Sequence, residues 1–304
     1  MSSVAVRPFR REDREQLTHL VNLHVGAVLP GVSVPVNAVM SQLEREPHEP
    51  IVDPWVIERR ALVAIEKDAV AAGALVLRYG AEASVGECYR DAAEIRWLVC
   101  RPDATEAGAA LVDACLAVMD GWGVARQYAD GSLPSLATYG VPACWPHLRR
   151  LYLDAGFVHD GTTEVILVAD VADLPRPLDP PRAGLTLRRS LGVNGTRFTA
   201  LRGDEEIGFV EVEADYTEGG TRSRFAGWAD VDNLRVTEAH RRQGIGTWLL
   251  ASAADWLRLG CVDRLLAYAW PEETDALAFL GSRGFRELTR TRRGWVRRAG
   301  PEGR

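Results

Sequence analysis

At 304 residues the chain has room for about two domains, and its 47% hydrophobic and 26% charged residues are those of an ordinary soluble globular protein. A formal net charge of -6 argues against a nucleic-acid binder that works through a basic surface, and it leans toward a cationic partner. There is no uncharged apolar run of about 18 residues, and the start MSSVAVRPFRREDRE turns charged too early for a signal peptide, so a cytoplasmic protein without membrane or nucleic-acid partners is expected.

In chain order, the first half reads as a strand near 4–8, helices near 11–25 and 36–45, and strands near 55–66, 69–79 and 93–100. A helix at 105–121, a strand at 124–130, a helix at 146–155 and a strand at 161–169 follow. The next stretch, DVADLPRPLDPPRAG, carries Pro175, Pro177, Pro180 and Pro181, a composition that favours an extended connector over a helix or central strand. Beyond it come strands at LTLRRS and TRFTALRG, separated only by LGVNG, and then strands at EIGFVEV and VDNLRV. The segment His240-Arg241-Arg242-Gln243-Gly244-Ile245-Gly246 leads into the helical run TWLLASAADWLRL. A strand RLLAYA, a helix from about Glu272 to Ser282, Arg283-Gly284-Phe285 and a final strand complete the order.

The loop at 240–246 carries the clearest chemical signal. Gly244 and Gly246 allow a sharp turn at the start of a helix, where unpaired N–H groups and the positive dipole end favour an anion, and Arg241 and Arg242 add positive charge. A Walker loop would need Gly-Lys-Ser/Thr, and the third glycine of a dinucleotide fingerprint would fall on Leu249, so ATP and NAD are poor candidates. A plain strand-to-helix turn is the alternative for an isolated Gly-x-Gly.

Arg241, Gly244 and Gly246 between a strand and a helix, followed by strand, helix and Gly284-Phe285, resemble the GNAT superfamily of acyl-CoA-dependent N-acetyltransferases over about 230–297. The resemblance implies a mixed α/β sheet, with acetyl-CoA as co-substrate and an amine as acceptor. It implies a cofactor site made by Leu234, Arg235 and Val236 on the fourth strand and by Arg241, Arg242, Gln243, Gly244, Ile245, Gly246 and Thr247. A backbone N–H on that strand would polarise the thioester carbonyl.

The halves repeat weakly: Val99 answers Val236, Gly73 answers Gly208, and Gly156-Phe157 answers Gly284-Phe285. Two tandem GNAT-like domains are therefore expected, one at 1–172 and one at 185–304, joined by a Pro-rich linker at 173–184. In the first, Glu106, Ala107 and Ala109 stand where the second has Gln243, Gly244 and Gly246, so its pyrophosphate loop is degenerate and its role is expected to be structural. The second lacks room for the two early helices, and its acceptor side is expected to be open or completed by the first.

Catalytic candidates follow from position. Asp230 and Asp232 alternate along the strand toward Leu234 and Val236, so all four are expected on one face, with Asp232 as the base. Where the family often has an acidic tyrosine, five residues before the Phe of Gly-Phe, the second half has Leu280; Tyr268 is the substitute, while Tyr152 holds that place in the first half. Glu211 and Glu213 form a second same-face pair, read either as a solvated face or as acceptor contacts. The five cysteines show no C-x-x-C spacing and the six histidines no ligand spacing, so no metal is expected. The expectation is an N-acetyltransferase acting on a cationic amine, as a monomeric pseudo-dimer or a homodimer. A non-catalytic CoA-binding or structural module is the alternative.

Overall fold

The computed structural model describes residues 4–45, 53–135, 138–176, 179–193, 195–214 and 227–298. In the first half these form β1 (Ala5–Pro8), α1 (Arg14–Val28), α2 (Val36–Leu43), β2 (Val56–Glu66), β3 (Ala69–Tyr79), β4 (Ala92–Cys100), α3 (Thr105–Gly121), β5 (Arg126–Ala129), β6 (Val141–Pro142), α4 (Pro146–Asp154), β7 (Val158–His159) and β8 (Thr163–Asp170). The second half adds β9 (Leu185–Leu191), β10 (Thr196–Arg202), β11 (Glu205–Glu213), β12 (Trp228–Val236), α5 (Ile245–Leu259), β13 (Arg264–Ala269), α6 (Thr274–Ser282), β14 (Arg286–Arg292) and β15 (Trp295–Arg298). No helix among the described residues is long and apolar enough to cross a membrane.

The chain divides into two compact units, Met1–Thr163 with Thr291–Arg304, and Glu164–Arg290. The first unit is one mixed sheet in the order β1-β2-β3-β4-β5-β15-β7. Leu17, Leu20, Val21, Val25 and Val28 recur at three- and four-residue steps along α1, so one stripe of that helix is buried. Gly73 lets α1 approach β3 closely, since a Cβ there would lie 2.4 Å from a methyl carbon of Leu17. Leu111, Val112, Cys115 and Met119 make the corresponding buried stripe of α3.

The second unit has the strand order β14-β8-β13-β12-β11-β10-β9. Leu249, Leu250, Ala253, Ala254 and Leu257 of α5 share a core with Val210, Val212, Ala229, Val231, Leu265 and Ala267. Each buried leucine stabilises by roughly 1.5–3 kcal/mol relative to exposure. As expected, no helix lies between β9 and β10 among the described residues, and the Gly192 N–H bonds to the Gly195 C=O at 2.7 Å. The opposite face of β10 and β11 is polar. The Arg197 guanidinium lies 3.5 Å from the Phe209 ring centroid and pairs with Glu206 at 2.7 Å. Buried Glu211 accepts the Val193 N–H, so this carboxylate holds the turn over the sheet, and the reading of Glu211 as an acceptor contact gives way to a structural one.

The strand expected to close the first half at 161–169 belongs instead to the second unit. There β8 pairs antiparallel with β13 from Arg264↔Asp170 to Ala269↔Val165, and Val165 through Ala169 are buried on both faces, as suits a central strand. Its place in the first unit is filled by the last strand of the chain, β15, paired with β5 and β7 and anchored by Trp295, which is 1% exposed. The units therefore divide at 163/164 and 290/291, whereas the expected boundary lay at 173–184. The proline-rich stretch lies within the second unit.

Candidate active site

The site is built where β12 and β13 part. They pair in parallel only from Trp228↔Arg264 to Val231↔Ala267, after which β12 continues alone on that side to Val236. Among the described residues, the chain after β13 sends no backbone hydrogen bond back to 232–236. On its other side β12 is held by β11, with a register break that pairs Glu211 with Asn233 and Val212 with Val231, leaving Asp232 as an extra, bulged residue.

That bulge corrects the expected alternation. Opposed residues of an antiparallel pair face the same way, so Leu234 beside Val210 and Val231 beside Val212 both point to the α5 core. Asp230, opposite Glu213, lies on the other face, and Asp232 is exposed at the bulge. The two aspartates therefore do not share a face with Leu234 and Val236. One inserted residue inverts the parity.

At the end of β12 the chain is pinned by Thr237, whose N–H and hydroxyl both donate to the Ile207 C=O at 2.9 and 3.1 Å. Arg242 then takes a left-handed φ of 61° and Gly244 one of 83°, and α5 begins at Ile245 with no side-chain cap. The first helical bond runs from the Trp248 N–H to the Gly244 C=O at 3.0 Å, so the preceding N–H groups form an open helix end. A left-handed arginine costs of order 1–3 kcal/mol, a strain that clusters at ligand clamps.

The loop side chains have separate tasks. Nε of Arg241 donates to the Val236 C=O at 3.1 Å, and the Gln243 amide donates to the Ala239 C=O at 3.1 Å, so both brace the turn. Ile245 is 1% exposed and anchors α5 in the core. Gly246 faces Phe279, whose ring would be 3.4 Å from any added Cβ. Arg242 and Arg235 are exposed, while Leu234, Val236 and Thr247 are half-buried.

On the face away from α5, the Tyr268 hydroxyl lies 3.4 Å from Oδ2 of Asp230. The carboxylate that meets Tyr268 is thus Asp230, two residues before the expected base Asp232. Leu280, at the family's tyrosine position, is buried and offers no proton. Trp270 is exposed just past β13, and its N–H bonds to Glu273 at 2.8 Å.

The first unit shows the same parting between β4 and β5, paired only from Ala92↔Arg126 to Ile95↔Ala129. There the following chain closes it: the Asp130 N–H donates to the Ile95 C=O at 2.9 Å and the Ser132 N–H to the Arg96 C=O at 3.1 Å. At the start of α3, Ala104 carries no left-handed turn, Ala107 is fully buried and Glu106 is exposed. Tyr152 is buried with its hydroxyl on the Asp130 C=O at 3.2 Å, and burial pushes its ionisation well above the usual tyrosine range. It is a packing residue.

With this geometry in view, comparison with known proteins assigns the fold. Residues 167–285 match the acetyltransferase (GNAT) family. The second unit is a GNAT-family domain. A tandem GNAT protein from the clavulanic acid biosynthesis pathway superimposes at a TM-score of 0.67 with 16% identity, covering 99% of this chain and all of that one. A GCN5-related N-acetyltransferase from Sphaerobacter thermophilus gives 0.63 with 13% identity over 98% and 96% of the two chains. A glucosamine N-acetyltransferase region of a fungal multi-domain β-N-acetylglucosaminidase also gives 0.63, at 16% identity, covering 97% of this chain and 38% of that one. No curated protein sequence matches. The whole chain has the tandem GNAT fold.

Proposed function

We propose that the second unit binds acetyl-CoA and transfers its acyl group to an amine, with a small cationic molecule or peptide as acceptor. The observation that carries this reading is the left-handed turn at Arg242 and Gly244, which delivers an uncapped helix end beside the opening between β12 and β13. The open N–H groups at 244–247 with Arg242 suit a pyrophosphate. A backbone N–H at 234–236 would polarise the thioester carbonyl, a contribution of roughly 3 kcal/mol to the transition state.

The acceptor enters on the face of Asp230 and Tyr268. Asp232 takes one proton from the ammonium, the nitrogen–acyl bond forms as the carbon–sulfur bond breaks, and the Tyr268 hydroxyl gives its proton to the leaving sulfur and regains one from the second N–H that the new amide nitrogen loses. Glu213, Asp230 and Asp232 give this side an acidic character, which matches a cationic acceptor. Buried Leu280 favours one rival, a CoA-binding module without turnover. Incubation with acetyl-CoA and pools of amines, read as free thiol, separates them: amine-dependent thiol release supports transfer, and CoA binding without release supports the rival.

A further inference from the structure

The proline-rich stretch is expected to separate two domains, yet this strap meets the second unit's α5 at both of its ends. Its entry is fixed by Arg258 near the end of α5, whose NH2 group donates to the carbonyls of Val171 and Leu174 at 2.8 and 2.6 Å. Val171 and Leu174 are themselves buried in the second unit's core, as is Leu185 at the exit. At the other end of α5 the strap meets the anion loop: a Cβ on Gly244 would lie 3.1 Å from the Cβ of Pro181.

This contact places the next residue, Arg182, one peptide unit from the N-terminal end of α5. Arg182 is exposed and makes no hydrogen bond or ion pair among the described residues. Its neighbours in the loop are committed differently: Arg241, also exposed, and Gln243 donate to the carbonyls of Val236 and Ala239, whereas exposed Arg242 makes no such bond among the described residues. We infer that Arg182 is a second guanidinium of this site, carried in by the strap, and that it binds the pyrophosphate of the acyl-CoA. The inference rests on the proposed function of the loop. It gives the strap a chemical role: the arginine beside Pro181 completes a two-sided clamp around the anion.

The test is calorimetric titration of the full chain with CoA and with 3′-dephospho-CoA, using wild type, R182A, R182K, R182E and G244E. Loss of one charge-assisted contact at an exposed site is expected to weaken CoA about tenfold in R182A. R182E should weaken it further and R182K should recover part of the loss. The loss should be equal with 3′-dephospho-CoA, which retains the pyrophosphate. A wild type that binds no CoA overturns both the loop's proposed function and this inference. Wild-type affinity in R182A and R182E, with binding abolished in G244E, overturns the inference alone. A loss that vanishes with 3′-dephospho-CoA overturns the pyrophosphate assignment.

Discussion

The two units use the same device, a sheet whose fourth and fifth strands part, and differ in what happens at the parting. In the second unit β13 leaves β12 and the chain turns at once into α6 through Trp270 to Glu273, so the strand register on that side ends at Val231 among the described residues. In the first, the chain after β5 returns to β4 through Asp130 and Ser132 before reaching α4. The helix that follows differs in parallel: neither helix has a side-chain cap, but α5 starts on a left-handed glycine, whereas α3 starts on Ala104 at a φ of -108° with a closely packed first turn. The thiol of Cys100 donates to the Ala104 C=O at 3.2 Å, and Gly108 packs where a Cβ would be 2.8 Å from that sulfur. A closed wedge packs; an open wedge beside a left-handed turn leaves room for the proposed ligand. The same sheet can serve as scaffold or site according to a few backbone hydrogen bonds.

The largest effect should come from removing what the first unit takes from the end of the chain. A chain stopped at Arg290 loses β15 and with it Trp295, buried between Tyr152 and His159 with ring centroids at 5.8 and 5.0 Å. Even Trp295→Ala in the full chain should cost about 3–5 kcal/mol, read as a lowered midpoint in urea for the first unit. An unchanged midpoint would show that β15 is dispensable there. By the same reasoning a fragment of 183–304 lacks β8, the neighbour of β13, and should not remain soluble, while 164–290 should fold better.

Next in size is the loop. Gly244→Glu puts a side chain at a φ of 83° and against Pro181, and should reduce CoA affinity at least about tenfold while lowering the melting temperature by only a few degrees. Calorimetry should give one site per chain, because the first unit's loop lacks the turn. Two equivalent sites would erase the distinction between the units.

A third prediction concerns acid. In the first unit, buried His24 holds the Leu20 C=O through Nδ1 at 2.9 Å, and its Nε2 faces Nε2 of His147 at 3.2 Å. Burial is the main cause that lowers His24 from 6.5 to about 4, and it lowers His147 as well. A histidine depressed in the folded state binds its proton more readily when unfolded. Its stabilising effect is therefore complete above pH 6.5 and is lost as pH falls toward about 4, a swing of roughly 3 kcal/mol for His24. Thermal unfolding between pH 7 and 4 should show the first unit losing stability, and His24→Gln should flatten that dependence. An equal slope in the variant would remove the pair as the cause.

Much of this was legible in the chain. The loop, the helix at 105–121 and the strand-to-strand turn at LGVNG stand where pattern and glycine placement put them, because those signals are local. Strand membership was not legible: β8 is an apolar strand and β15, with two arginines among its four residues, a short mixed one, and nothing in their own residues says which sheet each joins. The faces of Asp230 and Asp232 were misread because a bulge is a property of register between two strands. The strap was read as a linker because prolines set extension but not what the extended chain lies against.

The smallest effect, and the finest test of the open wedge, compares the two aspartates that the bulge separates. Asp232 is exposed at the bulge, whereas Asp230 lies 3.4 Å from the Tyr268 hydroxyl. If Asp232 is the base, Asp232→Asn should slow turnover several-fold at low pH, where the amine arrives protonated, and less at high pH, where solvent has already removed that proton. CoA affinity should be unchanged, since the phosphate loop is untouched. Asp230→Asn acts through the tyrosine that returns the proton to sulfur, so its effect should persist at high pH and should resemble that of Tyr268→Phe. An acyl donor with a more acidic leaving thiol needs less protonation, and it should rescue Asp230→Asn and Tyr268→Phe but not Asp232→Asn. Identical pH profiles for the two aspartate variants would mean that the bulge does not divide the labour. Wild-type rates in both would take the acidic face out of the mechanism and leave transfer to the backbone and the acceptor's own basicity.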